Sequence, residues 1–198
     1  MKAKIVEKST DMFLNFGFKS ITMDDISTEM GISKKTIYRH FRNKSDLIEK
    51  CTFYVFNIIS LGIEAIKAQK MDPIEEIYEI KSFAMKHLKD EKSSTQYQLQ
   101  KYYPKIYATL KEKQYELIRG FVTDNLRKGM TMGYFREDTD IDTVAKFYFN
   151  GIVALSNTKI FPPQHYRMPS LMEAYIEYHV RAIATPKGIE KLNQIIEK

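Results

Sequence analysis

The sequence has no tryptophan, one cysteine, eight glycines and six prolines in 198 residues, and each shortage closes off a class of protein. A lone thiol, Cys51, cannot close an internal disulfide, so the fold rests on burial, for which this length suffices, and the composition fits a reducing cytoplasm. Cys51 itself reads as packing on an apolar helix face. Sparse glycine and proline leave few breaks, and no run of alternating β-branched residues suggests a sheet, so the fold is expected to be all-α. No window approaches the roughly 18 apolar residues of a membrane span, and the early lysines are not followed by an apolar stretch. The expectation is a soluble, cytoplasmic protein without a membrane partner. There is no Gly-rich phosphate loop and no G-x-S-x-G elbow, and His40, His87, His165 and His179 are scattered without metal-ligand spacing. Enzyme activity, a bound metal and a cofactor are therefore not expected.

What the chain does have is positive charge in one place. The total is 31 Lys and Arg against 25 Asp and Glu, a formal charge of +6. From Ser33 to Ser45 there are five basic side chains, Lys34, Lys35, Arg39, Arg42 and Lys44, and no acidic one. Such a local imbalance points to a polyanion.

Helical periodicity organises the rest. Ile5, Met12, Phe13 and Phe16 share a face of a first helix that stops at Gly17. Thr22 caps a second, with Asp24 and Asp25 in its first turn and Met23, Ile26 and Met30 inward. Ser33 caps a third after the Gly31 turn, and Asn43 with Asp46 starts a fourth that runs through Leu47, Val55, Ile58 and Ile66. Asp72-Pro73-Ile74-Glu75 opens another helix to about Leu88. A short helix from about Ser94 precedes a long one from Pro104, in which Ile106, Leu110, Leu117 and Phe121 share a face and which Gly129 and Gly133 end. Further helices are expected from Asp140 to about Ile160, from a Ser170–Glu173 capping box to about residue 184, and beyond Pro186.

On the wheel of the third helix, Ile37 and Phe41 fall together, while Lys35, Arg39 and Arg42 cluster opposite, flanked by Thr36 and Tyr38. Lys34 and Lys35 stand in the first turn, where the helix dipole disfavours cations by roughly 0.3–1 kcal/mol each. A DNA major groove compensates. It admits one α-helix, presents guanine O6 and N7 to Lys or Arg, and is walled by phosphates that accept from Thr, Tyr and His.

Phe16-Gly17, Ile21-Thr22, Asp25-Ile26, Gly31-Ile32-Ser33, Thr36-Ile37-Tyr38, His40-Phe41, Lys44 and Leu47, ungapped from Thr22 onward, resemble the DNA-binding head of the TetR family of bacterial transcriptional regulators (TetR/AcrR-like). The resemblance implies a two-domain, all-α homodimer that binds a palindromic double-stranded operator and represses until a small molecule enters the second domain. By position it implies phosphate contacts for Thr22, Tyr38, His40 and Lys44, and base-edge or nearby phosphate contacts for Lys34, Lys35 and Thr36. Arg39 is variable in the family, and its outward direction makes it a base-reading candidate. Ser27 and Met30 depart from the alanine common in the family. The expected domains are a three-helix helix-turn-helix head, 1–46, and a larger helical ligand-binding and dimerisation domain, 47–198.

In that architecture the helices near 140–160 and 170–184 pair with their mates in a four-helix dimer interface, with Gly151, Ala154 and Ser156 permitting close approach. The second domain holds 12 of the 13 tyrosines and 8 of the 12 phenylalanines. Tyr97, Tyr102, Tyr103, Tyr107, Phe147 and Tyr148 are the candidates for lining an effector pocket, although aromatic residues at helical spacing more often serve as core. No effector class follows from them. The alternative is a DNA-binding adaptor or activator whose second domain binds a protein.

Overall fold

The computed structural model describes residues 1–88 and 95–197. Their regular structure is helical: α1 (Lys2–Phe16), α2 (Met23–Glu29), α3 (Lys34–Tyr38), α4 (Lys44–Lys67), α5 (Pro73–Leu88), α6 (Thr95–Tyr102), α7 (Pro104–Thr131), α8 (Ile141–Leu155), α9 (Met168–Ile183) and α10 (Pro186–Ile196). Among the described residues the one strand-like feature is an isolated antiparallel bridge between Phe135 and Ala184. The fold is all-α, a helix-turn-helix head followed by a larger helical region. None of the helices is long and apolar enough to cross a membrane among the described residues.

Short polar side chains start most helices where the sequence has them. The Thr22 hydroxyl accepts from the Asp25 N–H at 3.1 Å, and the Asp25 carboxylate accepts from the Thr22 N–H at 2.7 Å, a complete capping box. Asn43 Oδ1 accepts from Asp46 N at 2.9 Å, Asp72 Oδ1 from Ile74 N at 2.9 Å, and Asp140 Oδ1 from Thr143 N at 3.0 Å. Each satisfies an amide that the first helical turn leaves without a partner.

Four boundaries and faces differ from the expectations of the sequence. Phe16 is 61% exposed, because α1 ends there and Gly17, at φ 82°, turns the chain away from the apolar face. Gly129 does not end α7. It lies inside the helix, and a Cβ there would stand 2.1 Å from the Phe135 ring, so the missing side chain makes room for that ring. Gly133, at φ 74°, follows the true end. α8 stops at Leu155, not near Ile160. There Asn157 Oδ1 accepts from Lys159 N at 3.0 Å, a local bond that competes with helix continuation. α9 begins at Met168 with Pro169 in its first turn and no side-chain cap, so Ser170 and Glu173 form no capping box, and Glu173 instead pairs with Lys81 of α5. Ser94, the expected start of the short helix, lies outside the described residues.

The chain separates into two compact units, Met1–Ser60 with Lys86–Lys113, and Leu61–Met85 with Gln114–Lys198. In the first, Ile5, Phe13, Ile26, Ile37, Phe41, Leu47 and Ile48 are almost wholly buried, and Leu99 of α6 and Leu110 of α7 join the same cluster. Compactness therefore groups 47–60 and 86–113 with the helix-turn-helix. Each such side chain removed from water stabilises the unit by roughly 1.5–3 kcal/mol.

The second unit is built around Ile74, Leu126, Phe135, Ile176 and Leu192, and it also buries polar groups. Glu76, 4% exposed, accepts from Asn125 Nδ2 at 2.8 Å and pairs with Lys128 Nζ at 3.0 Å. Asn125 also donates to Pro73 O at 2.9 Å, and Lys128 to Met71 O. From α10, Lys191 bridges Asp72 at 2.9 Å and Glu75 at 2.5 Å. Where α8 meets α9, a Cβ on Gly151 would be 2.2 Å from Tyr175 Oη, and that hydroxyl bonds to the carbonyls of Phe147 and Tyr148 at 3.1 and 3.0 Å. The gap left by Gly151 is thus filled from within its own chain.

Candidate nucleic-acid interface

Between α2 and α3 the chain must reverse within a few residues, and Gly31 adopts φ 62° to do it. Nothing lies within 4 Å of where its Cβ would be, so backbone conformation, not space, makes glycine suitable there. The Gly31 and Ile32 N–H groups donate to Thr28 O at 3.1 Å and Ser27 O at 3.0 Å, closing the turn. Ser33 then caps α3. Its hydroxyl accepts from Thr36 N at 3.1 Å and shares a hydrogen bond with the Thr36 hydroxyl at 2.8 Å.

α3 has one inward side and one open side. Ile37 is 0% exposed, and Phe41, just beyond the helix, is 1% exposed. Lys34, Lys35 and Arg39 are exposed, Tyr38 is 46% exposed, and Thr36 is half-buried. Arg39 is the C-terminal cap, and Arg42 falls outside the helix, in the connection to α4, with its N–H bonded to Asp46 at 2.9 Å. The separation of Ile37 and Phe41 from Lys35 and Arg39 holds, but the wheel does not extend to Arg42. The helix has ended, and its last amides, on His40 and Phe41, converge on Ile37 O.

The expected contacts are unequally free. Among the described residues neither Lys35 nor Arg39 has a carboxylate partner, so their charge is available. Lys34 is bonded to Asp24 of α2 at 2.8 Å, and that bond raises its ammonium pKa above the ordinary value. The Thr22 hydroxyl accepts from Asp25 N and donates to the Asp25 carboxylate at 2.7 Å. The Thr22 N–H, then its hydroxyl, hold Asp25 below the usual carboxylate range. The His40 ring stands edge-on to Phe41 with centroids 6.3 Å apart. Lys44, the first residue of α4, is half-buried. Burial lowers its pKa, and the Asp25 carboxylate opposes that shift.

Asp24 has a part in the site that its sequence position does not announce. Local spacing makes it a helix-start acid facing the dipole of α2, whereas its pairing with Lys34 depends on how the Gly31 turn lays α3 beside α2.

The effector candidates divide between the units. Tyr103 and Tyr107 are half-buried against the first unit's core, and burial raises both phenol pKa values. Tyr97 and Tyr102, 46% and 43% exposed, both face the Lys101 ammonium, at 5.6 and 5.3 Å from the ring centres. In the second unit, Phe147 is 69% exposed, whereas Tyr148 is buried against His179 with ring centres 4.7 Å apart. No group of His, Cys, Asp and Glu suited to a metal occurs among the described residues.

Residues 5–51 match the family of bacterial regulatory proteins described as the tetR family. The biofilm operon icaADBC HTH-type negative transcriptional regulator IcaR of Staphylococcus aureus is 37% identical over 66 residues, which are 31% of this chain and 36% of that protein. The alignment thus spans about a third of the curated relative's length. Among solved structures, a TetR-family regulator from Agrobacterium tumefaciens superposes with a TM-score of 0.72 at 16% identity, covering 93% of this chain and 97% of that one. A TetR-family regulator from Mesorhizobium loti gives 0.68 at 18% identity, covering 93% and 96%. Residues 5–51 are thus similar to the tetR family of bacterial regulatory proteins, and over nearly its whole length the chain shares the all-α fold of these solved TetR-family regulators.

Proposed function

We propose that the protein is a transcriptional repressor that binds double-stranded operator DNA through α3. The carrying observation is the two-sided helix: Ile37 locked in the core while Lys35 and Arg39, without a carboxylate partner among the described residues, face outward beside Tyr38 and Thr36. Such a helix fits a major groove with cations toward bases and hydroxyls toward phosphates. Thr22, Lys34, His40 and Lys44 complete the proposed contact set. Thr22 offers little beyond its cap while its hydroxyl is bonded to Asp25, and Lys34 must exchange Asp24 for a phosphate. The exposed ion pair of Lys34 is weak enough to permit this exchange.

The oligomer in this reading is a homodimer through α8 and α9, which makes the operator palindromic. Phe147 and Tyr178, 69% and 71% exposed, support a partner on these helices, since large aromatic side chains gain by being covered. A small-molecule effector releases the DNA. The candidates for its contacts are Tyr97, Tyr102, Tyr103 and Tyr107 in the first unit and, separately, Phe147 and Tyr148 in the second.

Selection of bound duplexes from a random pool tests the reading. It should return a palindrome, with binding that weakens steeply as salt rises. Tyr38→Phe combined with Thr36→Val should weaken operator binding without changing the unfolding midpoint, and wild-type affinity in that variant would remove these hydroxyls from the contact set. Sedimentation should give a dimer that Phe147→Asp dissociates.

A further inference from the structure

Basic side chains distant in sequence converge where α3 ends. The Phe41 ring, buried directly after the helix, has the Lys2 ammonium 5.8 Å from its centre and the His40 ring 6.3 Å away. Arg42 follows, with its side chain 88% exposed. Lys2 lies outside the helix-turn-helix and outside the residues that match the family.

Nothing in its own helix explains the charge of Lys2. The first turn of α1 contains no acid, and among the described residues no carboxylate pairs with Lys2. A cation there is opposed by the helix dipole. The Phe41 ring under the Lys2 ammonium is 1% exposed and so fixed in the core, whereas Lys2 is exposed to solvent.

We propose that Lys2 is a DNA-phosphate contact, placed by Phe41 at the end of α3 to meet the backbone on the wall of the groove that α3 enters. The inference rests on the reading of α3 as a groove-bound helix. A phosphate carries no base identity, so Lys2 adds affinity to every sequence equally and releases about one counterion on binding.

The test uses the full chain with two probes, the duplex returned by selection and a duplex of random sequence, and measures binding against salt. Lys2→Gln should lower affinity for both probes by the same factor and reduce the slope of log K against log salt by about 0.9. Lys2→Arg should restore the slope. Lys159→Gln, which removes one positive charge from the second unit, should leave it unchanged. A wild-type slope in Lys2→Gln, or an equal loss in Lys159→Gln, overturns the proposal while the α3 reading stands. Failure of the unaltered protein to bind either probe overturns the α3 reading itself.

Discussion

The helix-turn-helix and the second unit satisfy their polar groups over different distances along the chain. In the head the capping partners are neighbours, Thr22 with Asp25, Ser33 with Thr36, Asn43 with Asp46, and the Asp24–Lys34 pair spans only ten residues. In the second unit Glu76 reaches Asn125 and Lys128, Lys81 reaches Glu173, and Asp72 and Glu75 reach Lys191, 116 residues beyond Glu75. Glycine divides in the same way. Gly31 serves the backbone and has open space around it, whereas Gly151 serves a neighbour, the Tyr175 hydroxyl from another helix. Local caps depend on spacing that any chain with that sequence carries. Buried long-range pairs exist only once helices have packed.

The largest loss is expected at Glu76, the centre of the second unit's buried polar network. Glu76→Ala leaves Lys128 and Asn125 without their buried acceptor and should cost about 3 kcal/mol in urea unfolding, near the lower bound for a disrupted buried pair because Lys128 is partly exposed. A loss below about 1 kcal/mol would make the buried network no costlier to disturb than a surface cap.

Acid should act on the second unit through His179. Burial pushes its pKa down to about 4, so between there and the ordinary value near 6.5 the unfolded chain binds a proton that the folded chain refuses. Stability is therefore complete above about 6.5 and falls with pH through that window, by about 3 kcal/mol in all. His179→Phe should flatten the pH dependence of the unfolding midpoint over this range, and an unchanged slope would remove His179 as its source.

Gly151→Ala drives a methyl group into Tyr175 and should destabilise by about 1–3 kcal/mol. Gly31→Ala meets no neighbour and should cost about 1–2 kcal/mol, from left-handed backbone strain alone. Gly31→Asn should recover part of this loss, since asparagine tolerates that conformation, and no such recovery should occur for Gly151→Asn. The smallest effect is expected at Asn43→Ala, about 1 kcal/mol for a lost cap, read from the same melts.

Much of the site is legible in the sequence. Ile37 and Phe41 are separated from Lys35 and Arg39 by helical geometry, and the turn is marked by Gly31. Arg42 is not legible, because a helical wheel continues indefinitely whereas α3 stops at Tyr38. The Ser170–Glu173 spacing imitates a cap, but Glu173 has a distant lysine available. Gly129 resembles a terminator because local sequence does not record the Phe135 ring beside it.

The sequence alone determined an all-α chain, its helix starts at Thr22, Ser33, Asn43, Asp72 and Asp140, and a basic helix with one apolar side, since each follows from contacts within about four residues. Tertiary structure decided that α6 and the start of α7 join the head's core, that Asp24 holds Lys34, that Lys2 stands beside Phe41, and that Glu76 is a buried hub. These depend on which helices meet. Closing such long loops costs conformational entropy that only the assembled core offsets, so they cannot be read from local spacing.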